Sequence, residues 1–158
     1  MTIPPALLIF GLSMLPIVEL RGAIPLGVLM KMPIESAFFW AELGNIIIVL
    51  LILKLLGPTS EFLIRHSKFF QNFFTKLFAF TRKKHSRKFE KFGTALIVLL
   101  TATPLPGTGA WTGALLAFLF DINYFRAVGL IFIGNIVAGM LISFGIGGTL
   151  EIFKFLKI

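Results

Sequence analysis

Residues 101–113 read Thr101-Ala-Thr-Pro-Leu-Pro-Gly-Thr-Gly-Ala-Trp-Thr-Gly113, at the centre of a run with no charged side chain between Lys91 and Asp121. The flanks of this run suit a helix and its centre does not. Pro104 and Pro106 lack N–H donors, and Gly107, Gly109 and Gly113 favour turn conformations. The hydroxyls of Thr101, Thr103, Thr108 and Thr112 are spaced to satisfy backbone groups that such a break sets free.

Composition says where a broken apolar run of this kind must live. Of 158 residues, 57% are hydrophobic and only 14% charged, with a mean hydropathy of +0.95. A soluble domain carries about 25% charged residues, so this chain has too little polar surface for a soluble globule and is expected to be an all-α, multi-pass membrane protein. It has no cysteine, which removes disulfides, thiolate metal sites and Cys nucleophiles. His66 and His85 form no HExxH pair. No cofactor is expected, and no triad or phosphate loop points to an enzyme. No Lys or Arg precedes Arg21, so the first segment does not resemble a cleavable leader.

A crossing helix needs about 20 apolar residues. Residues 34–56 and 127–149 meet this as single helices. Residues 3–30 and 93–119 are apolar but interrupted, the first by Pro16, Gly22, Pro25 and Gly27. Each interrupted run spans roughly 27 residues, whereas two crossings need about 40. Each is therefore one kinked crossing or a hairpin that turns back inside the membrane. Irregular backbone at that depth is tolerated only when buried in protein or lining a wet cavity, which favours the hairpin.

The two interrupted runs belong to two similar halves. Gly44-Asn45-Ile46 and Gly134-Asn135-Ile136 are 90 residues apart, as are Pro16 and Pro106, and Gly22-Ala23 and Gly113-Ala114 are 91 apart. Paired Pro/Gly-broken segments in two halves point to a transporter binding site. The chain divides as repeat 1 (1–57), a linker (58–91), repeat 2 (92–150) and a tail (151–158). Re-entrant hairpins would make the repeats inverted; kinked crossings would make four crossings and parallel repeats.

The linker holds Arg65, Lys68, Lys76, Arg82, Lys83, Lys84, Arg87, Lys88 and Lys91. Positive charge places it in the cytoplasm. Phe69, Phe70, Phe73, Phe74, Leu77 and Phe78 form one helical face, so residues 65–91 read as a basic amphipathic helix on the anionic inner leaflet of the cell membrane. The aromatic stripe suits lipid rather than nucleic acid.

Charges at membrane depth are functional by default. Glu19 and Arg21 lie in the first interrupted run, where Arg21 suits a phosphate or carboxylate and Glu19 a proton. Glu42 and Asn45 share a helix face at i, i+3. Asn135 is the repeat partner of Asn45, while Phe132 replaces Glu42 in the second half. The asparagines also suit hydrogen bonds that tie helices together. Trp111 reads as an interfacial anchor, and Gly145, Gly147 and Gly148 as a site of close helix packing.

Pro16-Ile-Val-Glu-Leu-Arg-Gly-Ala-Ile-Pro25 and Thr103-Pro-Leu-Pro-Gly-Thr-Gly-Ala-Trp-Thr-Gly113 resemble the small multidrug export proteins, a family that looks related to the DedA/VTT superfamily. Phe89-Glu-Lys-Phe-Gly93 is similar to the lead-in of the second DedA hairpin, and Pro16 with Glu19 to the Pro-x-x-Glu of the first. The resemblance implies two facing re-entrant hairpins, inverted repeats, and proton-coupled movement of a lipid phosphate such as undecaprenyl phosphate. The Arg-Phe-x-Pro-x-x-Arg pattern of the second DedA hairpin is absent, leaving Arg21 as the one hairpin-borne cation.

The expected function is proton-coupled translocation of an anionic lipid, such as a polyprenyl phosphate, or a related amphiphile. Its site would be Glu19, Arg21, Glu42, Asn45, Thr101, Thr103, Thr108, Thr112 and Asn135. One alternative is a four-helix proton-coupled multidrug or cation exporter using Glu42. Another is a non-transporting organiser acting through its basic helix. The expected partners are membrane lipids, the amphiphilic substrate and protons, and so short a chain leaves room for a homodimer.

Overall fold

The computed structural model describes residues 3–105 and 108–155, with side chains through residue 149. It is all-helical, with seven helices and no strand among the described residues. They are α1 (Pro5–Ser13), α2 (Glu19–Leu29), α3 (Ile34–His66), α4 (Lys68–Phe92), α5 (Ala95–Ala102), α6 (Ala110–Leu119) and α7 (Tyr124–Phe155). The order short, short, long occurs twice, with α4 between the two sets.

Each interrupted run folds as two short helices. Prolines at 16 and 104 fall in the breaks. Within each half the short helices pack on each other and on the long helix that follows. Gly27, late in α2, lies against Ile9 of α1 and Ala37 of α3. Gly44 of α3 lies under the carbonyl of Phe10 and the hydroxyl of Ser13, at the end of α1. The pair α1–α2 is thus a hairpin whose base sits beside the start of α3 and whose tip sits beside Gly44. The second half repeats this contact, with Gly134 of α7 pressed on Thr101 and Val98 at the end of α5.

The 90-residue spacing is carried most clearly by the helix ends. α2 closes with Lys31 donating to Val28 and Met32 donating to Gly27; α6 closes with Asp121 donating to Phe118 and Ile122 donating to Ala117. Both are paired 5→2 and 6→1 backbone bonds around a left-handed residue, Lys31 at φ 64° and Asp121 at φ 50°. In this register Ala23 pairs with Gly113 and Arg21 with Trp111, rather than Gly22 with Gly113. Gly22 and Gly113 both lie inside helices and are not counterparts.

The two long helices run antiparallel. Ala41 of α3 shares a core with Ala138 of α7, and Phe38 lies on Gly139. Val49, further along α3, shares a second core with Ala127 and Ile131, earlier in α7. Over their apolar windows, mean hydropathy 2.1 and 2.2, only 33% of residues are buried within the chain. A core helix of a soluble protein would be mostly buried, so these two are long and apolar enough to cross a membrane with faces left for lipid.

Several boundaries differ from expectation. α3 continues past residue 56, through Pro58, to His66. Its hydroxyl-bearing next turn helps, since Ser60 donates to the Gly57 carbonyl at 3.0 Å. Arg65 therefore sits in the last turn of α3, not on the basic helix, which begins at Lys68 after the extended Ser67. Nor do Gly145, Gly147 and Gly148 mediate close packing: a Cβ at each would meet nothing within 4 Å among the described residues. Gly44, Gly134 and Gly139 do that work instead.

Candidate functional site

Arg21 joins the two hairpin tips. It is in the first turn of α2, and its side chain reaches the break between α5 and α6. Nη1 donates to Glu19 Oε2 and to the Thr108 carbonyl at 2.5 Å. Nη2 donates to the carbonyls of Thr101 at 3.2 Å and Thr103 at 2.8 Å. Four of its five donors are spent, and only Nε lacks a partner among the described residues. The break after α5 takes these carbonyls out of a helical ladder and lets them accept from Arg21; that of Thr103 also accepts from the Leu105 N–H and the Thr108 hydroxyl.

Glu19 completes the joint. It holds a left-handed backbone, φ 46°, which costs a non-glycine residue of order 1 kcal/mol. Its carboxylate is buried, bound to Arg21, and accepts the Trp111 N–H at 3.3 Å. That N–H lies in the first turn of α6, where helix ends favour an anion. Trp111 also donates its indole N–H to the Met14 carbonyl at 3.2 Å. Gly109, at φ 129°, brings the backbone close enough that a Cβ would collide with the Arg21 guanidinium and the Glu19 carboxylate.

The threonines turn inward on their own chain. Thr101 donates to Ile97 at 2.7 Å, Thr103 to Leu99 at 2.6 Å, and Thr108 to Thr103 at 2.8 Å and Leu105 at 2.7 Å. Thr112 lies on α6 and lines a groove with Trp111. Of the expected turn residues, Pro16, Pro104 and Gly109 are in the breaks. Pro106 and Gly107 lie outside the described residues. Gly22, Pro25 and Gly113 are inside helices rather than turns. Gly113 is small because Thr101 and Ile131 crowd it, and Pro25 removes the partner of the Arg21 carbonyl.

A second group lies on the long helices. Glu42, Asn45 and Asn135 are all buried, yet both carboxylate oxygens of Glu42 and both polar atoms of each amide lack a partner among the described residues. An unsatisfied buried polar group costs about 1–3 kcal/mol, so this cluster is poised for water or a ligand. Phe132, at the position matching Glu42, is 42% exposed.

The basic helix packs by one face. Phe70, Phe74, Phe78, Thr81, His85 and Phe89 turn toward the bundle; Phe78 meets Phe118, and Phe89 stacks on Phe120 at 4.0 Å. Arg82 donates to the Leu119 carbonyl at 3.1 Å, capping α6. Lys68, Lys76, Lys83, Lys84, Arg87 and Lys88 are exposed, with Phe69, Phe73 and Phe80. His85 is buried, and burial with Lys84 and Lys88 nearby pushes its pKa down. The packed half of this stripe and the roles of Trp111 and His85 were not legible in the sequence.

Two long apolar helices with faces left unburied fit a chain that sits in a membrane. The family described as putative small multi-drug export protein matches residues 19–141, and the chain belongs to it. No curated protein and no solved structure matches the chain.

Proposed function

We propose that the protein moves an anionic amphiphile, such as a polyprenyl phosphate, across the cell membrane coupled to protons, through two facing re-entrant hairpins in inverted repeats. The observation that carries this is the Arg21 cluster, where a cation of one half is ligated by three carbonyls of the other. Gly44 and Gly134 each lie ten residues, about 15 Å, into their long helix, half of the ~30 Å hydrocarbon thickness. With α3 and α7 antiparallel, the tips beside them meet near mid-membrane from opposite faces, and α4 lies on the cytoplasmic side.

The chemistry follows from competition for Arg21. A phosphate forms charge-assisted bonds, roughly twice as strong as those to neutral carbonyls. It displaces the carbonyls of Thr101, Thr103 and Thr108, which unties the tips. Glu19, losing its partner, takes one proton from the side where the phosphate entered and returns it when Arg21 comes back. Glu42, Asn45 and Asn135 offer polar atoms along the wall. Glu42 alone favours a second reading, a cation or drug exporter, since a buried carboxylate without a partner suits a cation.

Two measurements test this. In the cysteine-free chain, Ile3→Cys should be labelled by an impermeant thiol reagent from outside and Arg126→Cys protected. Four crossings with a cytoplasmic linker give the reverse for both. In vesicles, Glu19→Gln and Arg21→Ala should abolish phosphate-amphiphile movement driven by a proton gradient. Retained movement in both removes the site assignment. Loss of drug resistance in Glu42→Gln, with Glu19→Gln unaffected, would put the second reading first.

A further inference from the structure

A cavity of about 630 Å³ runs between α3, α4 and α6, starting beside the tips. Ile48, Ile52 and Leu55 of α3 form one wall, Trp111 and Leu115 of α6 the other, and Phe73 of α4 belongs to its outer end. The lining is almost wholly hydrocarbon and aromatic. Along α3 it extends from Ile48 to Thr59, eleven residues or roughly 16 Å. That is about half the hydrocarbon thickness of a bilayer. The volume falls in the ~300–1,000 Å³ range of small-ligand sites.

The two ends differ in chemistry. The inner end stops at Trp111, whose backbone N–H holds Glu19 and whose indole holds Met14. The outer end opens beneath α4, whose Lys68, Lys76 and neighbours are exposed. A groove apolar along its length, half a bilayer long, beside a helix that carries exposed lysines suits a hydrocarbon chain with an anionic head.

We infer that this groove is the loading site for an anionic amphiphile from the leaflet facing α4, with its head among the basic side chains of α4 and its chain end against Trp111. This rests on the transport reading above and names the tail and head that the reading requires. Because Trp111 also ties the tips, a chain pressed on it reaches the Arg21 cluster before the head does. Loading and untying then share one residue.

The test uses intrinsic fluorescence. The chain has two tryptophans, so Trp40→Phe leaves Trp111 alone. This protein, in zwitterionic phospholipid nanodiscs, is titrated with 12-bromododecyl phosphate, whose bromine quenches indole on contact. Quenching should saturate and be reversed by unbrominated dodecyl phosphate. Adding Ile52→Phe, which fills the groove, should abolish the saturable part. If that variant loses its helical circular dichroism, Leu55→Phe is read instead. Lys68→Gln with Lys76→Gln should weaken the midpoint, about fivefold for each charge removed. Quenching that rises linearly with bromolipid, the same in the filled variant, overturns the site and leaves only bulk lipid contact. Saturable quenching in a protein that moves no dodecyl phosphate across vesicles upholds the groove and removes the transport reading. Transport without saturable quenching does the opposite.

Discussion

The two halves share a scaffold and differ in chemistry. Lys31 and Asp121 end α2 and α6 with the same backbone bonds. Gly44 and Gly134 press on Ser13 and Thr101, and Asn45 and Asn135 are buried eleven residues into the long helices. What does not repeat is charge. The first half has Glu19, Arg21 and Glu42; the matching positions of Arg21 and Glu42 hold Trp111 and Phe132. The second half supplies backbone carbonyls at 101, 103 and 108 instead. Duplicated geometry builds the frame, and the asymmetric residues make one side a donor and the other an acceptor.

The sharpest way to break that complementarity is Arg21→Ala. It leaves a buried carboxylate and three carbonyls without their cation, which should cost about 3–5 kcal/mol and abolish transport. Thermal unfolding in nanodiscs alongside vesicle transport reads both effects. Arg21→Lys keeps the charge but not the fork, so it should retain the fold and lose most of the transport.

Next come the shared contacts. Gly134→Ala puts a methyl on Thr101 and should cost about 1–3 kcal/mol. Gly145→Ala, where nothing is close, should stabilise by roughly 0.5–1 kcal/mol through helix propensity. If the two shift the melting temperature alike, the packing assignment fails. Glu42→Gln removes a buried charge without a partner, so the protein should melt higher while transport slows. A fall in both would mean that Glu42 is structural.

The smallest effect is expected at His85. Its folded pKa lies below the ordinary ~6.5. Between the two values the undocked state binds more protons, so docking of α4 strengthens as pH rises through this window and weakens as pH falls below about 6.5. Labelling of Thr81→Cys, buried on the same face, should speed up relative to that of the exposed Lys76→Cys as pH falls from 7.5 to 5.5, the ratio cancelling the loss of thiolate. His85→Gln should flatten that dependence.

Much of the frame was legible in the sequence. Charge gaps mark the long helices, because lipid excludes charge, and Pro16 and Pro104 mark the breaks because a missing N–H ends a helix. The 90-residue offset was readable at Asn45 and Asn135, but pairing Gly22 with Gly113 was one residue out, since glycines recur often enough in both helices to match by chance. Arg21 and Glu19 stood out as charges in an apolar run. Their partners did not, for backbone carbonyls leave no residue-type signal. Trp111 looks like any interfacial tryptophan until its N–H groups are followed. The inward row of α4 was hidden because two aromatic rows, Phe69 with Phe73 and Phe70 with Phe74, overlap in one stripe.

The carbonyls that Arg21 holds come from residues 80 to 87 positions later in the chain. During synthesis, therefore, the first hairpin enters the bilayer before its partners exist. An arginine alone there is costly, and the only acid within reach is Glu19, two residues away. The pair is self-neutralising while the rest of the chain is made, at roughly 5–20 residues per second. If the first hairpin inserts as proposed, a Glu19→Gln protein should show its first defect as poor membrane insertion of the nascent first half.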